Sequence, residues 1–225
     1  MHQSVSVPSQ LSEKETIEML KNRIIQLRRC LCAIKNAFES KIYKRREPNP
    51  RLLPIEWQQI QIAEDGLKDL HRQFAEAGGV YEKSRIERQK DAFNNRLAYA
   101  REIIFTYGSF FDGFTIRTFH FDGSHVSEDI RYQPSYKKEQ QKLPLEISRK
   151  ELLTGLAKLD LIDWRTRFAK KSRTNVNTDG LFWSLRIVYS GGKKSYFVEG
   201  CNHFPWNFEK LVSLLGERQQ GRMPQ

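Results

Sequence analysis

Cysteine is scarce in this chain: Cys30, Cys32 and Cys201 are the only three among 225 residues. An odd number cannot close a complete disulfide framework, and Cys30 and Cys32 stand two positions apart on a helical stretch, where side chains point to different faces. All three are expected to be free thiols. No apolar run approaches the roughly 20 residues that cross a bilayer. The segment Met1-His2-Gln3-Ser4-Val5-Ser6-Val7-Pro8 lacks the basic and apolar regions of a signal peptide. The expectation is an intracellular, cytoplasmic protein with no membrane association. Also missing are a Gly-rich phosphate loop followed by lysine, paired zinc-ribbon cysteines, a G-x-S-x-G nucleophile elbow, and the RNA-recognition, KH and zinc-finger signatures. With no catalytic motif in view, the chain is read as non-enzymatic and without a cofactor.

Acidic residues are in short supply too, with 27 Asp and Glu against 38 Lys and Arg, for a formal net charge of +11. A basic protein is drawn to polyanions and releases their counterions on binding. The charge is unevenly placed. From Lys21 to Arg51 there are ten Lys or Arg against only Glu39 and Glu47, and a second run, Arg165, Arg167, Lys170, Lys171 and Arg173, contains no acid. A charge run can be no more than a solvated face, but both of these flank loops, where a contact surface is the alternative. Hydrophobic residues at 39% and aromatics at 12% are enough for a core. The length suits one large domain or two small ones, and two are favoured.

Residues 1–11 read as a disordered lead-in. Ser12-Glu13-Lys14-Glu15 then fits a capping box, in which the serine hydroxyl and a glutamate carboxylate satisfy free amides at a helix start. Ile17, Leu20, Ile24, Leu27, Leu31, Ile34 and Phe38 follow at steps of three and four, the a/d stripe of a heptad pattern. The helix should end near Tyr43, ahead of the exposed basic loop Lys44-Arg45-Arg46-Glu47-Pro48-Asn49-Pro50. Pro54 suits the first turn of a second helix, in which Ile60, Ala63, Leu67, Leu70, Phe74 and Ala77 repeat the stripe before Gly78-Gly79. A third helical segment, from about Tyr81 to Arg101, is less regular: Lys90 interrupts the face shared by Ile86, Phe93, Leu97 and Ala100. Residues 12–102 thus predict an antiparallel helical hairpin, coiled coil or bundle. Pairing within the chain is favoured over self-association through the heptad helix, because two compatible stripes lie either side of one loop.

Beyond residue 102 the period changes to two. Ile103, Phe105 and Tyr107 give a first strand, Gly108 to Gly113 a turn, and Phe114 to Phe121 a second strand. Asp122-Gly123 signals a tight hairpin, and Val126, Ile130 and Tyr132 put one apolar side on a third strand. After a polar, proline-containing loop, Ser148-Arg149-Lys150-Glu151 repeats the capping box and opens a helix with Leu152, Leu153, Leu156 and Leu159; Leu161, Ile162 and Trp164 pack beneath it. The basic Arg165 to Asn177 segment leads into a hairpin. Trp183, Leu185, Ile187 and Tyr189 form its first strand, Gly191-Gly192 supplies the positive φ angles of a type I′ turn, and Lys194 to Glu199 returns. Phe208, Leu211, Val212 and Leu215 then share a helical face that stops at Gly216. Residues 103–218 therefore predict an antiparallel-sheet α+β domain with helices gathered on one face, and residues 219–225 a tail.

A resemblance enters at Tyr107-Gly108-Ser109-Phe110-Phe111-Asp112-Gly113-Phe114, at Trp183-Ser184-Leu185-Arg186-Ile187, and at Gly191-Gly192-Lys193-Lys194, Gly200 and Phe204-Pro205-x-Asn207-Phe208. This pattern of turns and core aromatics resembles an uncharacterised small α+β domain of bacterial proteins. It covers about the last 120 residues and none of the helical half. It implies a bacterial or phage origin and a reusable structural module, and it carries over no catalytic residue.

Three local clusters invite chemistry. His120 and His125, with Glu128 and Asp129 just beyond, are suitable donors for a divalent metal. Asp122 is already explained as a turn residue, however, and the metal reading is the lesser one. Cys201-Asn202-His203 offers a thiol beside an imidazole, but adjacent residues rarely reach one another and no third group orients them. A buried cysteine and a turn-forming asparagine are preferred. Ser190-Gly191-Gly192-Lys193 suggests a phosphate loop, yet the hairpin explains both glycines and no helix follows.

Nucleic-acid binding remains as the leading expectation. Arg28, Arg29, Lys44, Arg45 and Arg46 from the first helix and its loop, with Lys170, Lys171 and Arg173 from the second basic run, are the candidates to neutralise phosphates. Tyr43, Tyr132 and Tyr136 are candidates to stack on bases. The expected role is a non-enzymatic accessory protein that binds RNA, DNA or a nucleoprotein complex through the backbone with little sequence preference. The alternative is a protein-protein adaptor or inhibitor, in phage defence or counter-defence, that docks through its helical hairpin. A metal-dependent nuclease using the His120 to Asp129 segment stands third.

Overall fold

The structure, a computed structural model, describes residues 12–44, 53–133, 144–168 and 180–216. The chain divides into two compact units, one of residues 1–40 and 49–83, the other of residues 41–48 and 84–225. The first is a helical hairpin. Helix α1 (Glu13–Lys44) opens on the expected capping box: the Ser12 amide donates to Glu15 Oε2 at 2.8 Å, and the Glu15 amide returns a bond to Ser12 Oγ at 3.4 Å. Helix α2 (Leu53–Glu76) runs antiparallel to it, so that the start of α1 meets the end of α2. Leu20 and Ile24 bury against Phe74, with Ile17, Leu67, Leu70, Ala77 and Tyr81 around them. Further along, Lys35 Nζ reaches Glu64 Oε1 at 2.9 Å, and Phe38 meets Trp57 edge-on at 6.2 Å. The heptad stripe of α1 is thus filled by its own chain. Gly78, at φ 82°, closes α2 in a Schellman motif: its amide donates to Ala75 O at 3.0 Å and the Gly79 amide to Phe74 O at 2.9 Å.

The third helix differs from expectation in extent and in company. Helix α3 (Arg85–Leu97) is shorter than Tyr81–Arg101 and belongs to the second unit, which begins near residue 84 rather than at 103. A capping box that the sequence reading passed over starts it. The Ser84 amide donates to Glu87 Oε2 at 2.8 Å, and the Glu87 amide to Ser84 Oγ at 3.3 Å. Phe93 and Leu97 join the sheet's core, whereas Ile86 is 60% exposed. Lys90, the apparent break in the stripe, is held at the edge of that core by Asp163 at 2.6 Å and Asp160 at 3.4 Å.

The second unit is an α+β fold. Strands β1 (Ala100–Ser109), β2 (Gly113–Asp122), β3 (His125–Gln133), β4 (Arg167–Phe168), β5 (Leu181–Tyr189) and β6 (Tyr196–Cys201) form one sheet in the order β3-β2-β1-β5-β6-β4. All neighbours are antiparallel except β4 beside β6. Alternate residues of one face, Ile103, Phe105, Phe119, Trp183, Leu185, Ile187 and Val198, are buried. Against them pack α3, α4 (Arg149–Ala157) through Leu152 and Leu156, and α5 (Phe208–Leu214) through Phe208, Leu211 and Val212. The same face also buries an ion pair, Arg117 with Glu128. Among the described residues no helix is long and apolar enough to cross a membrane.

Two turns sharpen the predicted hairpins. Asp122 pairs with His125, so the β2–β3 loop is Gly123-Ser124 rather than Asp122-Gly123, with Gly123 at φ 57°. Gly191 and Gly192 take φ of 70° and 69° as required, but the β5–β6 ladder closes at Ile187 and Tyr196, so the connection is longer than the two glycines; on the other edge of β5, Tyr189 is paired with Ala100 of β1. Gly200 is a point of close approach. A Cβ there would lie 2.2 Å from Trp183 Nε1 and 2.5 Å from His203 O, the two atoms that hydrogen-bond at 2.9 Å.

Candidate nucleic-acid interface

The predicted phosphate ligands fall into three groups. Arg28 is engaged inside the hairpin: its Nη2 donates to the Tyr81 hydroxyl and lies 3.3 Å from His71 Nε2, and its guanidinium sits 5.3 Å over the Tyr81 ring. It ties α1 to the residues following α2. Arg29, one position on, is exposed, and Lys44 is the last residue of α1. Arg45, Arg46, Lys170, Lys171 and Arg173 lie outside the described residues. Of this candidate set, the described residues place Arg28, Arg29 and Lys44, all on α1, with Arg28 turned to Tyr81.

The rest of the hairpin's charge is distributed unequally between its helices. On α2, Lys68 pairs with Asp65 at 2.8 Å, and Arg72 with Asp69 at 2.6 Å and Glu76 at 2.8 Å. Those side chains cancel along their own helix. Helix α1 has no such run of acids after Glu18, and Arg23 and Arg29 both face solvent.

Of the stacking candidates, Tyr136 and the side chain of Tyr43 lie outside the described residues. Tyr132 has a structural task. Its hydroxyl donates to the Asp112 carbonyl, and its ring lies against Gly113, where a Cβ would fall 2.7 Å from the hydroxyl oxygen. What it holds is the β1–β2 turn, which Ser109 also fixes: Ser109 Oγ donates to Asp112 Oδ2 at 2.9 Å and accepts from the Asp112 amide at 3.0 Å. Between Ser109 and Asp112 stand Phe110 and Phe111, 50% and 49% exposed, with ring centroids 5.6 Å apart in an edge-to-face arrangement. The sequence pattern marks this stretch as a turn and does not set its rings apart. Two adjacent phenylalanines inside a Gly-Ser…Asp-Gly turn, where small and polar residues are usual, were the available signal.

The sheet's register places several strand ends beside that turn. Gln133 ends β3 opposite Phe114, Leu181 begins β5 opposite Ser109, and Phe168 ends β4 opposite Gly200, one residue from the end of β6. Phe114 and Phe182, both paired with Gly108 of β1, face each other with centroids 6.2 Å apart.

The other clusters do not assemble into sites. His120 Nδ1 lies 3.4 Å from Glu102 Oε1, His125 is exposed next to the hairpin loop, and Glu128 is turned to the other face with Arg117. Among the described residues no group of three or more His, Cys, Asp or Glu is placed to hold a metal ion. His203 Nδ1 sits 2.9 Å from the Cys201 carbonyl oxygen, and burial pushes the Cys201 thiol up from its ordinary pKa, away from the reactive thiolate. Asn202, at φ 52°, exchanges two bonds with Leu181: its amide donates to Leu181 O at 2.9 Å and its Oδ1 accepts from the Leu181 amide at 2.8 Å. Both residues serve the turn.

Compared with known proteins, the chain matches no family model, and no curated protein or solved structure is significantly similar to it.

Proposed function

We propose that this protein is a non-enzymatic nucleic-acid-binding or nucleoprotein-associated accessory protein that contacts the phosphate backbone. The observation that carries this reading is the uneven charge. Against a net +11 for the chain, α2 carries five acids to two bases, while the positive excess sits on α1, on the loop after it and in the sequence around the sheet strands. Such an excess supplies affinity by counterion release and needs no base-specific geometry. The adaptor alternative docks the heptad stripe of α1 and the basic loop onto a partner, and in that stripe Leu20 and Ile24 are packed with Phe74, Leu67 and Leu70 of α2. This weighs against docking through it.

Binding of labelled RNA and DNA to the full chain, titrated with salt, tests the reading. Affinity should be highest at low salt and fall linearly in log K against log salt. Replacing Lys44, Arg45 and Arg46 with Glu should weaken binding evenly across sequences and lower the slope by up to ~3. No binding at low salt, or binding indifferent to salt, would refute it.

A further inference from the structure

We propose that the protein forms a two-fold dimer through the free edge of β3, the strand of one copy adding antiparallel to the same strand of a second copy around Ile130. Strand β3 ends the sheet, and among the described residues no strand lies beyond it. Its residues, His125–Gln133, pair with β2 without a break in register. They include no proline and no lysine, and no bulge turns the edge away, so the usual devices that blunt an edge strand are missing. An inward-pointing charge is a further such device. The only charge on the inner face of β3 is Glu128, and Arg117 of the same chain neutralises it at 2.5 Å.

The β2–β3 hairpin decides which backbone groups the edge offers. Asp122 and His125 flank its two-residue loop, which is the hydrogen-bonded position of a tight hairpin, so His125 and every second residue after it direct their N–H and C=O groups to β2. Val126, Glu128, Ile130 and Tyr132 direct theirs away from the sheet. Charge then selects the occupant and the register. Asp129 and Arg131 lie on the outer face, 44% and 76% exposed, and in one copy they pair with each other along the strand at 2.9 Å. With the two-fold at Ile130, Asp129 of each copy stands opposite Arg131 of the other, in the closer, non-hydrogen-bonded type of pair. The four side chains close into a ring of alternating sign. Glu128 then faces Tyr132 and Ser127 faces Gln133, so no charge of the strand is set against its like. A two-fold at Asp129 or at Arg131 would instead bring like charges together. A foreign strand would need the same alternation in the reverse direction, which the chain already supplies to itself.

Sedimentation equilibrium of the nuclease-treated full chain tests this, with wild type compared with Asp129→Arg, Arg131→Asp and the double variant in which both are exchanged. Neither side chain is in the core, so an unchanged circular dichroism spectrum is required of each variant. Wild type should approach twice the 26.5 kDa of one chain as concentration rises. Each single reversal should weaken dimerisation about 10- to 100-fold, because the two-fold sets like charges opposite each other twice. The double variant should recover the wild-type affinity. The two single variants, each monomeric alone, should associate when mixed, since one then offers two cations and the other two carboxylates at the facing positions. A wild type that stays at the mass of one chain up to ~100 µM overturns the proposal and leaves the edge to a strand of another protein. A wild-type dimer that both single reversals leave equally tight, with no preference in the mixture, also overturns it and moves the interface elsewhere on the chain.

Discussion

Glu128→Gln is the sharpest perturbation of the fold that this structure offers. Arg117 Nη1 meets Glu128 Oε1 at 2.5 Å with the two side chains 3% and 4% exposed, and Glu128 Oε2 accepts from the Leu145 amide at 2.5 Å. The pair is a diagonal contact across the β2–β3 ladder, since Arg117 is registered with Ile130 and Glu128 with Phe119. One carboxylate thus ties two strands to the chain that leads into α4. Glutamine removes the charge and puts an NH2 donor where one of the two carboxylate oxygens accepted, so either the guanidinium or the Leu145 amide faces a donor in place of its acceptor. Breaking a buried pair from one side costs about 3–5 kcal/mol, because the remaining charge stays out of water. For a unit of this size that corresponds to a fall in Tm of about 10–20 °C. Arg117→Met with Glu128→Leu should be milder, within ~1–2 kcal/mol of wild type, since neither charge of the pair is left buried opposite an absent partner. Urea unfolding followed by tryptophan fluorescence measures Glu128→Gln, Arg117→Met, Glu128→Leu and the double variant against wild type, with Trp164, Trp183 and Trp206 all in the second unit. A Gln variant within ~1 kcal/mol of wild type, or a double variant no better than the worse single, would refute the reasoning.

Two further outcomes follow from local chemistry. Burial raises the phenol pKa of both Tyr189 and Tyr196, against the pull of Arg96 in the first case, and the Tyr196 hydroxyl donates to Leu161 O at 2.7 Å. A folded state that prefers the neutral phenol gains stability that is complete below the unfolded pKa of about 10 and is lost as pH rises through the folded value. Stability should therefore decline above pH ~10, and the phenolate absorbance of two of the eight tyrosines should appear only with unfolding; titration of all eight near their ordinary pKa in the folded protein would contradict this. Ser84→Ala removes the cap of α3 and should cost about 1 kcal/mol, read as lost hydrogen-exchange protection in α3 with the α1–α2 hairpin unchanged. Equal loss in the hairpin would show that α3 does not belong to the sheet unit.

The parts of the fold that were legible in the sequence are those fixed by local periodicity. The stripe holding Leu20, Ile24 and Phe74, the alternation through Trp183, Leu185 and Ile187, and the caps at Ser12 and Ser148 need only near neighbours to be read. The errors came where a distant partner decides. Strand β4 is two residues inside a basic run and becomes a strand only because Glu199 and Gly200 lie alongside. Helix α3 was assigned by its apolar residues, although Ile86 faces water and the Ser84–Glu87 box, a purely local signal, marked the true start. The same lesson bears on the candidate interface. Arg28 is spent on Tyr81, Lys35 on Glu64, Lys90 on Asp160 and Asp163, Arg117 on Glu128, and Arg149 on the carbonyl oxygens of Gly123, Ala98 and Ala100. Counting cations along a sequence cannot separate these from the ones left facing solvent, because the distinction lies in tertiary contacts. An exposed aromatic pair is the opposite case. Phe110 and Phe111 are visible in the sequence, but only the fixed turn and their exposure distinguish them from core residues.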